Sequence, residues 1–407
     1  MRTGLLVACL PAIALAACLD IPDPVTSSAD GSPTTTDGGT TVDSATDGTT
    51  AGDSNGPGTD SSAPSDTGLP PPDVVVEASC SLNLQTDPLN CGRCGHACEQ
   101  GLGCSGSVCT PRVLRMGGGA ISGLRLIGGT LYWMEGGSAV YGCPAPDCSS
   151  LVPIVTGSSI LGFGVADTTA YTVEGASIMD RFVRAYSTTT PGAATDISWS
   201  AGEYGLAAPV DVDSQDIWFL IWLNGGPQAF GALSRADTDD SNFDVNVTTD
   251  VGNAILLRMA TFGGNEVAFW TESGRLVRVP AMSSSSTTTM ATGTGIHGLA
   301  VDSSSVFWTD EAAGTVQRCP ATSDCSGPTL LRGGQASPST IAVDSTGVAW
   351  TNAGSGASDG TLVECSYPDC TEGPFILADG QADPHEVALD STYVYWAAGS
   401  DLMRVPR

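Results

Sequence analysis

VDSSSVFWTDEAAGTVQRCP, Val301 to Pro320, is the stretch that decides the fold. It splits into an apolar run that ends at Asp302, an aromatic run "SVFWTD", a Gly turn, and an alternating run "GTVQRCP". Runs of this length, rich in β-branched and aromatic residues and bounded by Gly, Asp and Ser, read as antiparallel strands joined by hairpins. "PTLLRGG" after the Cys pair supplies a fourth strand. One such sheet leaves both faces uncovered, so the unit has to recur and stack.

It does recur. Trp133, Tyr171, Trp218, Trp270, Trp308, Trp350 and Trp396 mark the second strand of successive copies, 38 to 52 residues apart. Four strands per copy at this period predict an all-β chain, a β-propeller of seven four-stranded blades spanning 111–407. The aromatic is then a packing residue between blades. The last copy runs out at Arg407 after three strands, and "PRVLRMGGG", Pro111 to Gly119, reads as the missing fourth. The expectation is an N-terminal strand, Val113 to Met116, closing the last blade beside Leu402 to Val405 with Val113 and Leu114 buried.

The words "FWTD", "AWTN" and "FWTE", with the "AVD" before them, resemble the YWTD and NHL propeller families over Arg112 to Arg407. "AYTV" at Tyr171 departs most from that pattern. The resemblance implies a binding scaffold; some members carry enzymes at the channel mouth.

In front of the propeller lie three segments. Residues 1–17 have one Arg, an apolar run and small residues, the pattern of a secretory signal. Leu15-Ala16-Ala17-Cys18 resembles the lipobox of bacterial lipoproteins, which implies that the Cys18 thiol carries the lipid and anchors the chain to a membrane. Residues 18–79 have ten Asp between Leu19 and Ser79, no aromatic and no Arg, and read as a disordered acidic tether. Residues 80–110 hold Cys80, Cys91, Cys94, Cys98, Cys104 and Cys109 and resemble the small "NCGxCGxxC" modules of bacterial exported proteins. A 30-residue segment with so few aliphatic residues needs cross-links, and an exported chain favours disulfides. Six Cys allow fifteen pairings, and the sequence leaves them open. His96 between Cys94 and Cys98 reads as a solvated loop residue. The remaining pairs, Cys143 with Cys148, Cys319 with Cys325 and Cys365 with Cys370, fall at one place in the repeat and read as disulfides across a hairpin turn.

The charge narrows the partners. The 407 residues include 44 acidic and 15 basic residues, every basic one Arg, for a formal charge of −29. Nucleic acid is excluded, because a phosphate backbone demands a basic surface. No helical periodicity frames a nucleophile elbow, a P-loop or a dinucleotide fingerprint. His297 in "TGIHGLAVD" and His385 in "ADPHEVALD" share the register just before an inner strand, and Glu386 adjoins the second. Some propeller lyases hold a metal with histidines there, so these three residues are the channel-mouth candidates. Asp237, Asp239 and Asp244 could wrap Ca²⁺, but Asn242 breaks the EF-hand pattern, and the expectation is a solvated loop. No cofactor is expected; Ca²⁺ or another divalent metal at these places is the alternative. Asp167, Asp213, Asp302, Asp344 and Asp390 recur as turn residues.

The leading expectation is an exported envelope lipoprotein, periplasm-facing or at the cell surface, whose propeller binds a protein or glycan partner without catalysis. The alternatives are a propeller hydrolase or lyase with a channel metal, and a structural envelope component.

Overall fold

The computed structural model describes residues 83–407 apart from 176–181, 193, 198–203, 213–215, 224–230, 238–242, 246–253, 273 and 281–286. The signal sequence, Cys18, the tether, Cys80, Asp213, Asp239 and Asn242 lie outside the described residues, as do the side chains of Asp237 and Asp244.

The described strands form a β-propeller arrangement with no helix among them. Six four-stranded sheets are made of consecutive antiparallel strands: residues 121–156, 160–197, 204–245, 254–292, 296–332 and 338–381. A last sheet is built from Pro384–Leu389, Tyr393–Ala398 and Asp401–Pro406, and its fourth strand is Arg112–Arg115. The pairing joins Arg112 to Arg404, Val113 to Met403 and Arg115 to Leu402. The innermost strand of each sheet packs on those of the sheets before and after, and Pro384–Leu389 packs on Ile121–Ile127.

The closing strand differs from expectation in two respects. It ends at Arg115, and Val113 is 41% exposed. Leu114 packs inward with Leu131, Trp133 and Leu402. Successive side chains of a strand point to opposite faces, so an outer edge strand buries only one of the two.

The repeated words now have physical roles. Trp133, Trp218, Trp270, Trp308, Trp350 and Trp396 are at most 1% exposed. Each fills space between neighbouring sheets; Trp218 and Trp270, for example, share one cluster with Leu257 and Val277. Buried indole N–H groups need acceptors. Trp350 donates to Gln335 Oε1 at 2.9 Å, Trp396 to Gln381 Oε1 at 3.3 Å and Trp270 to Glu272 Oε2 at 3.3 Å. In the fifth blade the Thr after the Trp ties that blade to the next. Thr309 Oγ1 donates to the Ser339 carbonyl at 2.6 Å and accepts from Gly298 N–H at 2.8 Å. The turn acids cap hairpins: Asp302, Asp344 and Asp390 each accept two backbone N–H groups through Oδ1.

Disulfides link Cys143 to Cys148, Cys319 to Cys325 and Cys365 to Cys370 within their blades. In the module they link Cys91 to Cys104 and Cys98 to Cys109, and Cys94 is disulfide-bonded too. The module packs on the sixth and last blades, with Cys91 and Cys109 in one cluster with Leu377 and Val405. His96 is therefore 5% exposed, not solvated. Its Nδ1 meets the Cys91 carbonyl at 2.6 Å and its Nε2 the Pro406 carbonyl at 3.2 Å. Arg404, buried in the last strand, donates to both oxygens of Glu99 in the module.

Candidate functional site

The inner strands meet around a cavity of about 400 Å³. Its polar lining includes Arg125 of Ile121–Ile127, Arg258 of Ala254–Phe262, His297 of Ile296–Val301 and Glu386 of Pro384–Leu389. Leu256, Leu299, Ile341 and Val387 supply apolar wall. A volume of this size suits a small ligand. A second cavity of about 220 Å³ shares Arg125, Arg258 and Glu386 with the first.

Every inner strand carries a register shift. Bulges re-aim side chains and recur beside functional sites. At the bulge of the last blade Glu386 adopts φ +52°, where the first blade uses Gly123 at φ +66°. A left-handed conformation is free for Gly and costs a side-chain-bearing residue about 1–3 kcal/mol. The strained backbone puts the Glu386 carboxylate across the blade boundary, where Oε2 accepts from Leu124 N–H at 3.1 Å.

The two arginines stand at one register. Arg125 pairs with Tyr132, the residue before Trp133, and Arg258 with Phe269, the residue before Trp270. The same register holds Val165, Val212, Ala300, Ala342 and Ala388 in the other blades. Both cations therefore interrupt a ring of small apolar residues. Burial pushes the Arg258 guanidinium down to about 10, helped by repulsion from Arg125; Asp211 and Glu386 oppose the shift.

The histidine candidates separate. His297 lines the cavity, and its Nδ1 is buried with no hydrogen-bond partner. His385 is engaged elsewhere: Nε2 meets the Ile121 carbonyl at 3.0 Å and Nδ1 the Asp383 carbonyl at 2.7 Å. It ties the last blade to the first. Among the described residues, the one group of three close metal-type donors is Cys91, Cys98 and Cys109, and all three sulfurs are in disulfides. Arg125 and Arg258 were not singled out in the sequence. The signal was there for Arg125, which stands eight residues before its Trp as Ala300, Ala342 and Ala388 do.

No family model matches this chain, and no curated protein matches it. Solved structures with the same fold do. A catalytically inactive virginiamycin B lyase of Staphylococcus aureus, solved with quinupristin, has a TM-score of 0.53 at 13% identity, covering 73% of this chain and 98% of that one. A streptogramin B lyase has a TM-score of 0.53 at 12% identity, over 73% of this chain and 96% of the other. A chain of a nidogen/laminin complex has a TM-score of 0.40 at 14% identity, over 58% and 88%. The two lyases share the fold of this chain. At such identities the likeness concerns the fold alone.

Proposed function

We propose that this chain is an exported lipoprotein of the cell envelope, held by Cys18, whose seven-bladed propeller binds a protein or glycan partner and performs no chemistry. The observation that carries the reading is the channel cavity. Its polar lining includes two arginines, one carboxylate and one histidine, and the second candidate histidine is spent on backbone carbonyls. The hairpin disulfides fit an oxidising compartment. The seven-blade count is supported by the six consecutive sheets and by the closure of the last one through Arg112–Arg115.

A second reading keeps His297 and Glu386 as metal ligands of a lyase or hydrolase, favoured by the unpartnered Nδ1 of His297 on the same cavity as Glu386. One experiment separates the two. The full-length chain is purified in detergent and screened against glycans and envelope extracts, with metal analysis alongside. A saturable ligand and no bound metal are expected. A stoichiometric divalent ion, lost in His297→Ala, would overturn the binding reading in favour of the enzyme; no saturable ligand at all would leave a structural component. Cys18→Ser should release the chain from the membrane fraction, and continued sedimentation at high salt would contradict the anchor.

A further inference from the structure

We propose that Arg125 and Arg258 form an oxyanion-binding fork in the channel, and that the ligand it receives is an acidic saccharide unit. The proposal rests on the binding reading above and names its ligand class.

The fold does not ask for either arginine. Five blades place Val or Ala at that register and close equally well. A guanidinium drawn into a partly enclosed site loses hydration, a cost that ordinary folding avoids unless an anion repays it. Most of the other described arginines keep the rule, although Arg278 and Arg332 donate only to backbone carbonyls. Arg112, Arg115, Arg184, Arg275, Arg404 and Arg407 each meet a carboxylate. Arg258 donates to the Leu257 carbonyl at 2.8 Å, and Asp211 and Glu386 attract it without forming an ion pair. Arg125 makes no ion pair or hydrogen bond among the described residues. Each guanidinium also feels the other's repulsion. Two planar donor forks on one cavity match the paired oxygens of a carboxylate or phosphate.

The rest of the lining says what the anion is attached to. Glu386 is an acceptor whose Oε2 is held by Leu124 N–H, with Oε1 left for a hydroxyl. The buried Nδ1 of His297 lacks a partner as well. Leu299, Ile341 and Val387 offer apolar surface to a ring's C–H face. An oxyanion, hydroxyl groups and C–H faces within about 400 Å³ describe one or two acidic sugar residues better than a free inorganic ion.

The test is calorimetric titration of the full-length chain with four probes. These are a glucuronate-containing disaccharide, its neutral glucose counterpart, a sugar phosphate and inorganic phosphate. At least one acidic sugar should bind saturably, tenfold or more tighter than the neutral sugar, and weaken with added salt. Arg125→Ala and Arg258→Lys should each reduce that affinity tenfold or more, with near-UV circular dichroism unchanged. Equal affinity for acidic and neutral sugars would overturn the proposal, as would inorganic phosphate binding as tightly as the acidic sugars. Unchanged affinity in Arg125→Ala would do the same. Should neutral glycans or a protein bind while the acidic sugars do not, the ligand class fails and the binding reading survives. Should none of the four probes bind, the ligand class falls, and the binding reading falls with it only if the glycan and extract screen also finds no saturable ligand.

Discussion

The second strands and the inner strands of this propeller are built by opposite rules. Along the second strands the same chemistry returns in nearly every blade, and the Trp side chains are almost wholly buried. Along the inner strands the backbone repeats, bulge included, while the side chain at one register changes from Ala or Val to Arg in two blades. Repetition is what stacking of like units requires, because each blade presents the same face to its neighbour. Departure from repetition marks a position that the stack does not determine. The contrast teaches where to look for function in a repeat protein.

The comparison can be broken most forcefully at the seam. Deleting residues 112–117 removes the fourth strand of the last blade, the Leu114 contact and a two-armed ion pair from Arg115 to Glu135 of the first blade, at 2.8 and 2.9 Å. The exposed edge and the open ring should abolish cooperative folding, exceeding the roughly 5–15 kcal/mol that holds a typical domain. Protease resistance and near-UV circular dichroism equal to the parent's would show that the strand is dispensable.

Within the stack, Trp308→Ala should cost about 3–5 kcal/mol, because a fully buried indole leaves a cavity that two blades cannot fill. Urea unfolding measures it, and a loss below 1 kcal/mol would remove the Trp from the account of stacking. Thr309→Val is the finer probe. It keeps the shape, removes a hydroxyl that serves both Ser339 O and Gly298 N–H, and should cost about 1–3 kcal/mol.

The smallest effect is one of pH. Arg115 holds the Glu135 carboxyl below its usual 4.5, and the Trp133 indole N–H adds to it while burial opposes. A carboxyl depressed in the folded state adds stability above about pH 4.5, and that stability is lost as pH falls through the folded value. Arg115→Met should therefore flatten part of the acid limb of stability below pH 4.5. An identical acid limb in parent and variant would mean that the pair contributes nothing.

Much of the fold could be read before the structure because its signals are local. Trp308, Asp302 and the pair Cys319 and Cys325 sit within one 25-residue unit, and each states its role by its neighbours in sequence. Even the closing strand was legible, since "PRVLRMGGG" resembles "PTLLRGG", although the exposure of Val113 depends on which face of an edge strand turns outward. The site was harder. Arg125 and Arg258 belong to different blades, and only ring closure puts them on one cavity. His297 and His385 share a register, yet one faces the cavity and the other the Ile121 carbonyl, a difference set by the neighbouring blade. His96 was misread for a related reason: the sequence of a small cross-linked module does not say what it packs against.

The central claim is that repeated positions hold the fold while the channel arginines are surplus to it. Urea unfolding of the full-length chain carrying both Arg125→Ala and Arg258→Ala tests this most directly. Removing two cations that repel one another and lack ion pairs should leave the unfolding midpoint equal to the parent's or higher. A loss on the scale of Trp308→Ala would contradict the claim and make the arginines part of the packing.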